Sequence, residues 1–367
     1  MKLKRFKAVN FRNIEECDIN FSDGVNLLYG NNAEGKTNAI EGIYLFSRGK
    51  SFRAKEDSEL IKFGNEGFSL FLEYEDSIGK NTLEYSLYKK ERRRKKNGYK
   101  IDKVKDMIGN FKSVLFYPDD LLLVKGGPEE RREFLNVAIG QCYPSYINYY
   151  ASYKKALENR NCLLKFSSKG MYVDENELIS WSEYMSENAS FIYLMRLEYL
   201  KKLEVYSSRI MEEISDGAEK MTLLYKSDIE EEIFEREKIK EEYKRIFTEN
   251  LEKEKIVGVS LYGPHRDDIT VNINGKSARS YSSQGQQRSI VLSLKLGEGE
   301  VSREIFGEYP VFLFDDVLSE LDDKRKNYIL SGIGQKQIII TSCENNDEIK
   351  IFENKIRVSD GKYSEKE

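Results

Sequence analysis

The chain has 367 residues, of which 40% are hydrophobic, 33% charged and 12% aromatic, so it is expected to fold as a soluble globular protein and not to stay disordered. Its 59 basic and 63 acidic residues give a net charge of −4, which excludes a general attraction to nucleic acid, so any such binding needs a local cluster of basic side chains. Four scattered cysteines, one histidine and no apolar run near ~20 residues argue against a structural zinc site and a membrane span, and favour a cytoplasmic protein with reduced thiols.

The first third of the chain predicts strands around one helix. An apolar run at 25–30 ends in glycine, and Ala39, Ile43 and Phe46 follow at helical spacing. Residues 68–75 and 81–90 alternate between apolar and polar in the manner of strands. Another short strand is expected at 113–117, where Pro118 ends it.

The middle of the chain predicts helices. The segments 144–166 and 175–214 have few glycines and prolines and repeat their apolar residues at helical spacing, but their heptads are irregular, which favours a packed lobe over a coiled coil. Alternation of strands and helices returns after Val257. The sequence therefore predicts an α/β head formed by residues 1–127 and 254–367, with a helical arm at 128–253.

The segment GNNAEGKT fits the phosphate-binding loop pattern GxxxxGK[ST], with a strand before it and a helix after it. In this pattern backbone N–H groups face the β- and γ-phosphates of a nucleotide, Lys36 neutralises phosphate oxygens, and the Thr37 hydroxyl holds Mg²⁺. A chance glycine-rich turn is the alternative. The candidate nucleotide-binding residues are Gly30, Asn31, Asn32, Ala33, Glu34, Gly35, Lys36, Thr37 and Asn38.

The segment VFLFDD is an apolar strand that ends in two acids, as expected beside a phosphate-binding loop. Asp315 is the candidate Mg²⁺ ligand, and Asp316 is placed to polarise the attacking water. Most ATPases of the ABC type have glutamate at the second position, so the shorter Asp316 suggests slow hydrolysis. A strand that merely runs into an acidic turn is the alternative.

The segment SSQGQQR resembles the signature motif of ABC-type ATPases, which places Ser283, Gly285 and Gln286 among the candidate nucleotide contacts. A serine hydroxyl and N–H groups at the start of a helix bind anions. Lys36 already serves one anion site, so a second site implies that a partner subunit grips the γ-phosphate. An ordinary capped helix start is the alternative, and residues 319–322 match the D-loop of the same class.

Taken together, several blocks of sequence resemble the RecF family of bacterial recombination mediators. They are GNNAEGKTNAIEGIYLFSRGKSFR, FYPDDLLLVKGGPEERREFLN, YGPHRDDI, SSQGQQRSIVLSLKL and FLFDDVLSELD, which occur in the order typical of that family. The resemblance implies an ABC-type head related to SMC heads, with a short helical arm. It also implies a homodimer that forms with ATP, binds DNA, and works with RecR and RecO to load RecA at gapped DNA.

Some candidates carry less weight. Arg53 resembles the arginine that reaches the phosphates in related heads, although a surface arginine is an equal alternative. Thr341 or Ser342 stands where transporters have a switch histidine, whereas the one histidine, His265, precedes the signature. We expect His265 to make a polar contact near the dimer face, and the turn after Pro118 to replace the usual Q-loop glutamine.

The run KKERRRKK, residues 89–96, is the best local candidate for DNA contact. Next to the turn at Asn97-Gly98, it is predicted to form a basic hairpin tip that follows phosphates with little sequence preference. A solvated charged loop is the alternative interpretation.

Other classes of function share the phosphate-binding loop. A transporter subunit would have the switch histidine and a membrane partner, and a kinase would need an acceptor pocket but no signature motif. A scaffold that binds ATP without turnover and another SMC-like ATPase without a repair role also remain open. A DNA-stimulated ATPase activity would distinguish the ATP-gated DNA clamp from all of them.

Overall fold

The computed structural model describes residues 1–229, 233–318, 321–331, 334–343 and 352–365. The chain forms two compact units. The first contains Met1–Leu121, Tyr206–Lys220 and Ser283–Glu367, and the second contains Leu122–Val205 and Met221–Ser282. These borders differ from 127/128 and 253/254, because residues 206–220 group with the first unit while residues 254–282 group with the second. The assignment of 128–253 as an arm stays a prediction.

The first unit contains an antiparallel sheet formed by the N-terminal third of the chain. In spatial order its strands are β2 (Ile14–Asn20), β1 (Lys2–Phe11), β4 (Gly67–Glu75), β5 (Lys80–Tyr88), β6 (Glu91–Lys96) and β7 (Tyr99–Lys100). Alternate residues of β4 are buried, as the alternation in its sequence predicts.

A second sheet of the same unit is mostly parallel. Its strands are, in order, β15 (Lys362–Glu365), β14 (Asn354–Ser359), β3 (Val25–Tyr29), β13 (Gln337–Ser342), β12 (Val311–Phe314) and β8 (Ser113–Phe116), with only β14 and β15 antiparallel. All residues of β8 and β12 are buried, as their continuous apolar sequences favour. The ends of β3, β12 and β13 therefore meet at one edge.

Helix α1 (Lys36–Arg48) contacts β1 of the first sheet and β8 and β13 of the second. The fit is close at Gly42, where a Cβ atom would come within 2.6 Å of the Phe6 ring. The Gln337 side chain also joins the two sheets, since it accepts the N–H of Leu3 at 2.6 Å and donates to the Leu3 carbonyl at 2.8 Å. These contacts fix the start of α1 beside the second sheet.

The first unit also contains α9 (Gln284–Phe306), which contacts β8, and α10 (Asp323–Ser331). Short 3-10 helices lie at Asp57–Leu60, Val104–Asp106 and Pro118–Leu121. No helix in the described part of the chain is long and apolar enough to cross a membrane.

The second unit is mainly helical. Its helices are α2 (Leu122–Lys125), α3 (Pro128–Cys142), α4 (Pro144–Ser167), α6 (Arg236–Glu249), α7 (Leu251–Val257) and α8 (Ala278–Tyr281), together with most of the 40-residue α5 (Glu175–Ile214). A small antiparallel sheet follows the order β11 (Lys276–Ser277), β10 (Asp268–Ile273) and β9 (Met221–Lys226). The two long helices predicted at 144–166 and 175–214 are confirmed.

Candidate nucleotide-binding site

Residues 30–35 join β3 to α1, whose first residues are Lys36 and Thr37, so the strand and helix predicted on either side of the loop are confirmed. Gly35 immediately precedes the helix with φ of 117°, a conformation that favours glycine, and a Cβ there would approach Oδ1 of Asn13 to 2.8 Å. Both the backbone conformation and the contact with Asn13 therefore favour glycine at this position.

Contacts within the unit hold this loop in place. The Lys36 ammonium donates to the carbonyl oxygens of Gly30 and Asn31 at 2.6 and 2.7 Å. The Glu34 carboxylate accepts the N–H of Asn31 at 2.8 Å, and the Tyr363 hydroxyl donates to the Gly35 carbonyl at 2.8 Å. Lys36 lies at the position that the motif requires for neutralising phosphate oxygens.

At the edge of the second sheet, one carboxylate oxygen accepts two hydrogen bonds. Oδ1 of Asp315 accepts hydrogen bonds from the hydroxyls of Thr37, at 2.8 Å, and Thr341, at 2.9 Å. Burial raises the pKa of the Asp315 carboxyl, and these two hydrogen bonds partly oppose that effect. A hydroxyl beside a carboxylate is a pair of hard oxygen donors, which is the chemistry that suits Mg²⁺.

Asp316 follows with φ of 54°, in the left-handed region. Its N–H donates to the Thr341 hydroxyl at 2.8 Å, so Thr341 holds the backbone of one acid and the side chain of the other. Asp316 lines a cleft together with Lys36 and Thr37.

Several predicted residues surround one cleft of about 230 Å³. Its lining residues are Asn32, Ala33, Gly35, Lys36, Thr37, Asn38, Arg53, Asp316 and Thr341. Four separate stretches of sequence are thus brought together around a polar cavity next to Asp315. Ser283, Gly285 and Gln286 are not part of this lining, although they belong to the same unit.

The signature residues begin α9 with a capping box. The Ser283 side chain accepts the N–H of Gln286 at 3.2 Å, and the Gln286 side chain accepts the N–H of Ser283 at 2.8 Å. Gln286 also donates to Glu219 at 2.7 Å, and Arg325 donates to the Gly285 carbonyl at 2.9 Å. The Ser283 side chain is nevertheless exposed. Residues 319 and 320 of the expected D-loop lie outside the described residues.

The predicted hairpin at 89–96 is present, but only Lys89 and Lys90 lie in its turn. Residues 91–96 form β6, which pairs with β5 along its length, and the turn at Asn97-Gly98 follows it. Most of its cations have partners in the structure: Lys89 with Glu66, Arg92 with Asp57, Arg93 with Glu91, Lys95 with Glu84, Lys96 with Asn110, and the buried Arg94 over the Tyr85 ring. Four of the seven cations in the run, those of Lys89, Arg92, Arg93 and Lys95, therefore have a carboxylate partner.

The imidazole ring of His265 makes two polar contacts within the second unit. Its Nε2 lies 3.2 Å from the Ser260 carbonyl and its Nδ1 lies 2.7 Å from the Tyr153 hydroxyl. A carbonyl can only accept, so Nε2 carries the proton and Nδ1 accepts from tyrosine. Burial lowers the pKa of His265 to about 4, which keeps the ring neutral. The expected position near a dimer face stays a prediction.

The turn after Pro118 does not supply a side chain to the cleft lining. Asp120 is buried, its carboxylate accepts the N–H of Tyr117 at 2.9 Å, and it lies 3.7 Å from Lys295.

The acid that sequence reasoning missed is Glu41, a carboxylate within the buried face of α1 that contacts Arg53. A charged residue between Ile40 and Gly42 in an otherwise apolar stretch was the available indication.

Comparisons with known proteins agree with this geometry. The chain matches the family described as RecF/RecN/SMC N terminal domain over residues 2–364. It is 39% identical over 351 residues to the DNA replication and repair protein RecF of Exiguobacterium sp., covering 95% of this chain and 94% of the relative. The protein of the same name from Clostridioides difficile is 35% identical, with coverage of 97% and 95%.

Solved structures extend the comparison. The structure described as the recombination mediator protein RecF-ATP in the RecFOR pathway is 36% identical, with a TM-score of 0.93 over 100% of this chain and 98% of that one. An Smc head domain from Pyrococcus furiosus aligns with a TM-score of 0.58 at 16% identity, covering 100% and 96%, which shows a common fold alone. The predicted mixed α/β head of the ABC and SMC type is confirmed, and the chain belongs to the RecF family.

Proposed function

We propose that this chain is an ATP-dependent DNA-binding protein of recombinational repair and replication-fork maintenance. ATP closes a head-to-head dimer on DNA, and slow hydrolysis releases it. The observation that carries the proposal is the convergence of the Lys36 loop with the Thr37, Asp315 and Thr341 side chains beside one polar cleft. The solved relative is described with ATP, and the curated relatives are named as DNA replication and repair proteins.

Several side chains at the cleft have a role in this proposal. Lys36 neutralises the β- and γ-phosphates, and Arg53 and Thr341 are further phosphate contacts. Thr37 and Asp315 provide oxygen donors for Mg²⁺, which when bound supplies further neutralisation of phosphate charge. No cluster of three or more His, Cys, Asp or Glu side chains among the described residues competes for a metal.

Asp316 polarises the attacking water. Its side chain is one methylene shorter than the glutamate that most ABC-type ATPases have at this position, so the carboxylate reaches less far toward the water. A base that is poorly placed for proton transfer lowers turnover without weakening nucleotide binding. We therefore infer that hydrolysis is slow.

The dimer arrangement follows from the place of the signature. Ser283 is exposed at the positive end of the 23-residue helix α9, outside the lining of the cleft of its own chain. We infer that Ser283 and Gly285 bind the γ-phosphate held by Lys36 of a second copy. Gln286 joins them if its side chain exchanges its contact with Glu219 for the nucleotide.

DNA is the proposed polyanionic partner, with gapped or junction DNA as the substrate. RecR, RecO and RecA are the proposed protein partners, on the strength of membership in the RecF family and the RecFOR pathway named for the solved relative. In this function the chain acts in the cytoplasm. Three cations of β6 already have carboxylate partners, so this strand makes a weaker DNA candidate than its sequence suggested.

The alternative is an SMC-like ATPase without a role in DNA repair. Turnover should be measured with ATP alone, with duplex DNA and with gapped DNA, using wild-type protein and the Lys36→Met variant. We expect turnover to rise with gapped DNA in the wild type and to be lost in the variant. Wild-type turnover that ignores every DNA would favour the alternative.

A further inference from the structure

Glu41 is a fully buried carboxylate within α1, the helix that begins at Lys36. Arg12 binds both of its oxygens, with Nε 2.9 Å from Oε2 and Nη2 2.7 Å from Oε1. Arg53 donates to Oε2 at 2.6 Å, and the Ser51 hydroxyl donates to Oε1. Burial alone would raise the pKa of Glu41, but the hydrogen bonds from Arg12, Arg53 and Ser51 outweigh it and lower the pKa.

Hydrogen bonds connect both the guanidinium and the backbone N–H of Arg53 to this carboxylate, directly or through Ser51. Its guanidinium contacts Glu41 directly and also donates to the Asn38 side chain. Its backbone N–H donates to the Ser51 hydroxyl at 2.9 Å, and that hydroxyl in turn donates to Glu41. The Arg53 side chain is 38% exposed, so without these contacts it would sample many rotamers.

The contact from Arg53 is not needed to satisfy the buried carboxylate of Glu41. A bidentate pair with Arg12 satisfies a carboxylate by itself, since each oxygen already has a charged donor. Arg53 lines the nucleotide cleft beside Lys36 and Thr37, so the additional contact orients a cation that faces the proposed ligand. A guanidinium held in place loses less entropy when it binds a phosphate.

We propose that Glu41 is a positioning residue for nucleotide binding, which holds the Arg53 guanidinium toward the phosphates and acts on the nucleotide only through Arg53. This inference rests on the proposed binding of ATP in the cleft. If Glu41 acts only through Arg53, substitution of Glu41 must have no effect on ATP binding when Arg53 is absent. A residue that merely stabilises the fold would not show this dependence.

A double-mutant cycle tests the coupling. ATP binding is measured by calorimetry for the wild type, Glu41→Gln, Arg53→Ala and the double variant, with the melting temperature of each as a measure of folding. We expect each single variant to weaken ATP binding about tenfold, the scale of one charged hydrogen bond. The double variant should bind within about twofold of Arg53→Ala, even if Glu41→Gln lowers the melting temperature in both backgrounds.

Several outcomes would overturn the inference. They are an unchanged affinity in Glu41→Gln or in Arg53→Ala, and an equal loss from Glu41→Gln with and without Arg53. If Glu41→Gln does not fold, Ser51→Ala decides, because it removes only the hydroxyl link, and its loss of affinity must also vanish in the Arg53→Ala background. Failure of the wild type to bind ATP, or full binding by Lys36→Met, would instead contradict the proposed function.

Discussion

The Thr37 hydroxyl donates a 2.8 Å hydrogen bond to the carboxylate of Asp315, although the two residues are 278 positions apart in the chain. Strand β13 lies between β3 and β12 with all three parallel, so the loop after β3 and the acids after β12 reach the same edge of the sheet. The Thr341 hydroxyl, near the end of β13, donates a second hydrogen bond to Asp315. The proposed chemistry occurs at this edge of the sheet.

Replacement of Lys36 by methionine should weaken ATP binding about tenfold to 100-fold, because a charged donor to the phosphates is lost. ATP-driven dimerisation should be lost with it. Calorimetry and sedimentation velocity measure the two effects, and the melting temperature shows whether the loop remains folded without the bonds from Lys36 to Gly30 and Asn31. A variant that still dimerises with ATP would remove Lys36 from this role.

The variant Asp316→Asn should bind ATP normally and hydrolyse it at least about 100-fold more slowly, the scale of a lost general base. Asparagine accepts the left-handed backbone, and the N–H bond to Thr341 is unaffected. The expected readouts are a reduced single-turnover rate and a longer-lived ATP dimer. Unchanged turnover would exclude Asp316 as the base.

Mixing two inactive variants tests the dimer. Ser283→Arg should bind ATP as a monomer, because Lys36, Thr37 and Asp315 are intact, but fail to dimerise, since the arginine would occupy the γ-phosphate position of the facing site. Mixed with Lys36→Met, it should regain partial ATPase activity through one composite site per heterodimer. Two folded chains that show no recovery at any ratio would count against the shared site.

His265 should contribute to the pH dependence of stability. Its pKa is lowered to about 4 by burial, against an ordinary value of 6.5, so the unfolded chain binds the proton more readily between those values. The contribution of His265 to stability is therefore complete above pH 6.5 and falls as the pH decreases toward 4.

The variant His265→Gln keeps one acceptor and one donor, so it should lose less stability than the wild type between pH 7.5 and pH 5, as measured by urea unfolding. Burial raises the pKa of Asp228 to about 6 and of Glu298 to about 7, and both groups act with the opposite sign. The informative quantity is thus the difference between the two proteins. Parallel curves would show that folding does not lower the pKa of His265.

Substitution of Arg92 and Arg93 by alanine should change DNA affinity by less than about twofold, because Asp57 and Glu91 already neutralise these guanidinium groups. The slope of log affinity against log salt, measured by fluorescence anisotropy, should stay the same. If both arginines contacted phosphates, that slope would fall by about 1.8 on duplex DNA. Such a fall would restore the basic strand as a DNA contact.

Features whose chemistry is local could be predicted from the order of the amino acids. The phosphate-binding loop, the apolar strand ending in Asp315 and Asp316, the capped start of α9 and the long helices α4 and α5 each depend on spacing within a few turns of chain. Hydrogen bonds to the backbone and the periodicity of apolar residues act over that range, so the pattern of residues is enough to predict them.

The pairing of charged side chains depends on how distant segments of the chain pack together. Arg12 and Arg53 approach Glu41 from separate segments, and the basic run 89–96 finds its acids at Asp57, Glu66 and Glu84. The division of the chain into units also depends on distant packing, which groups 206–220 with the head and 254–282 with the helices. The sequence states which side chains are charged. The oppositely charged partner of each one depends on strand order and register, which no local pattern specifies.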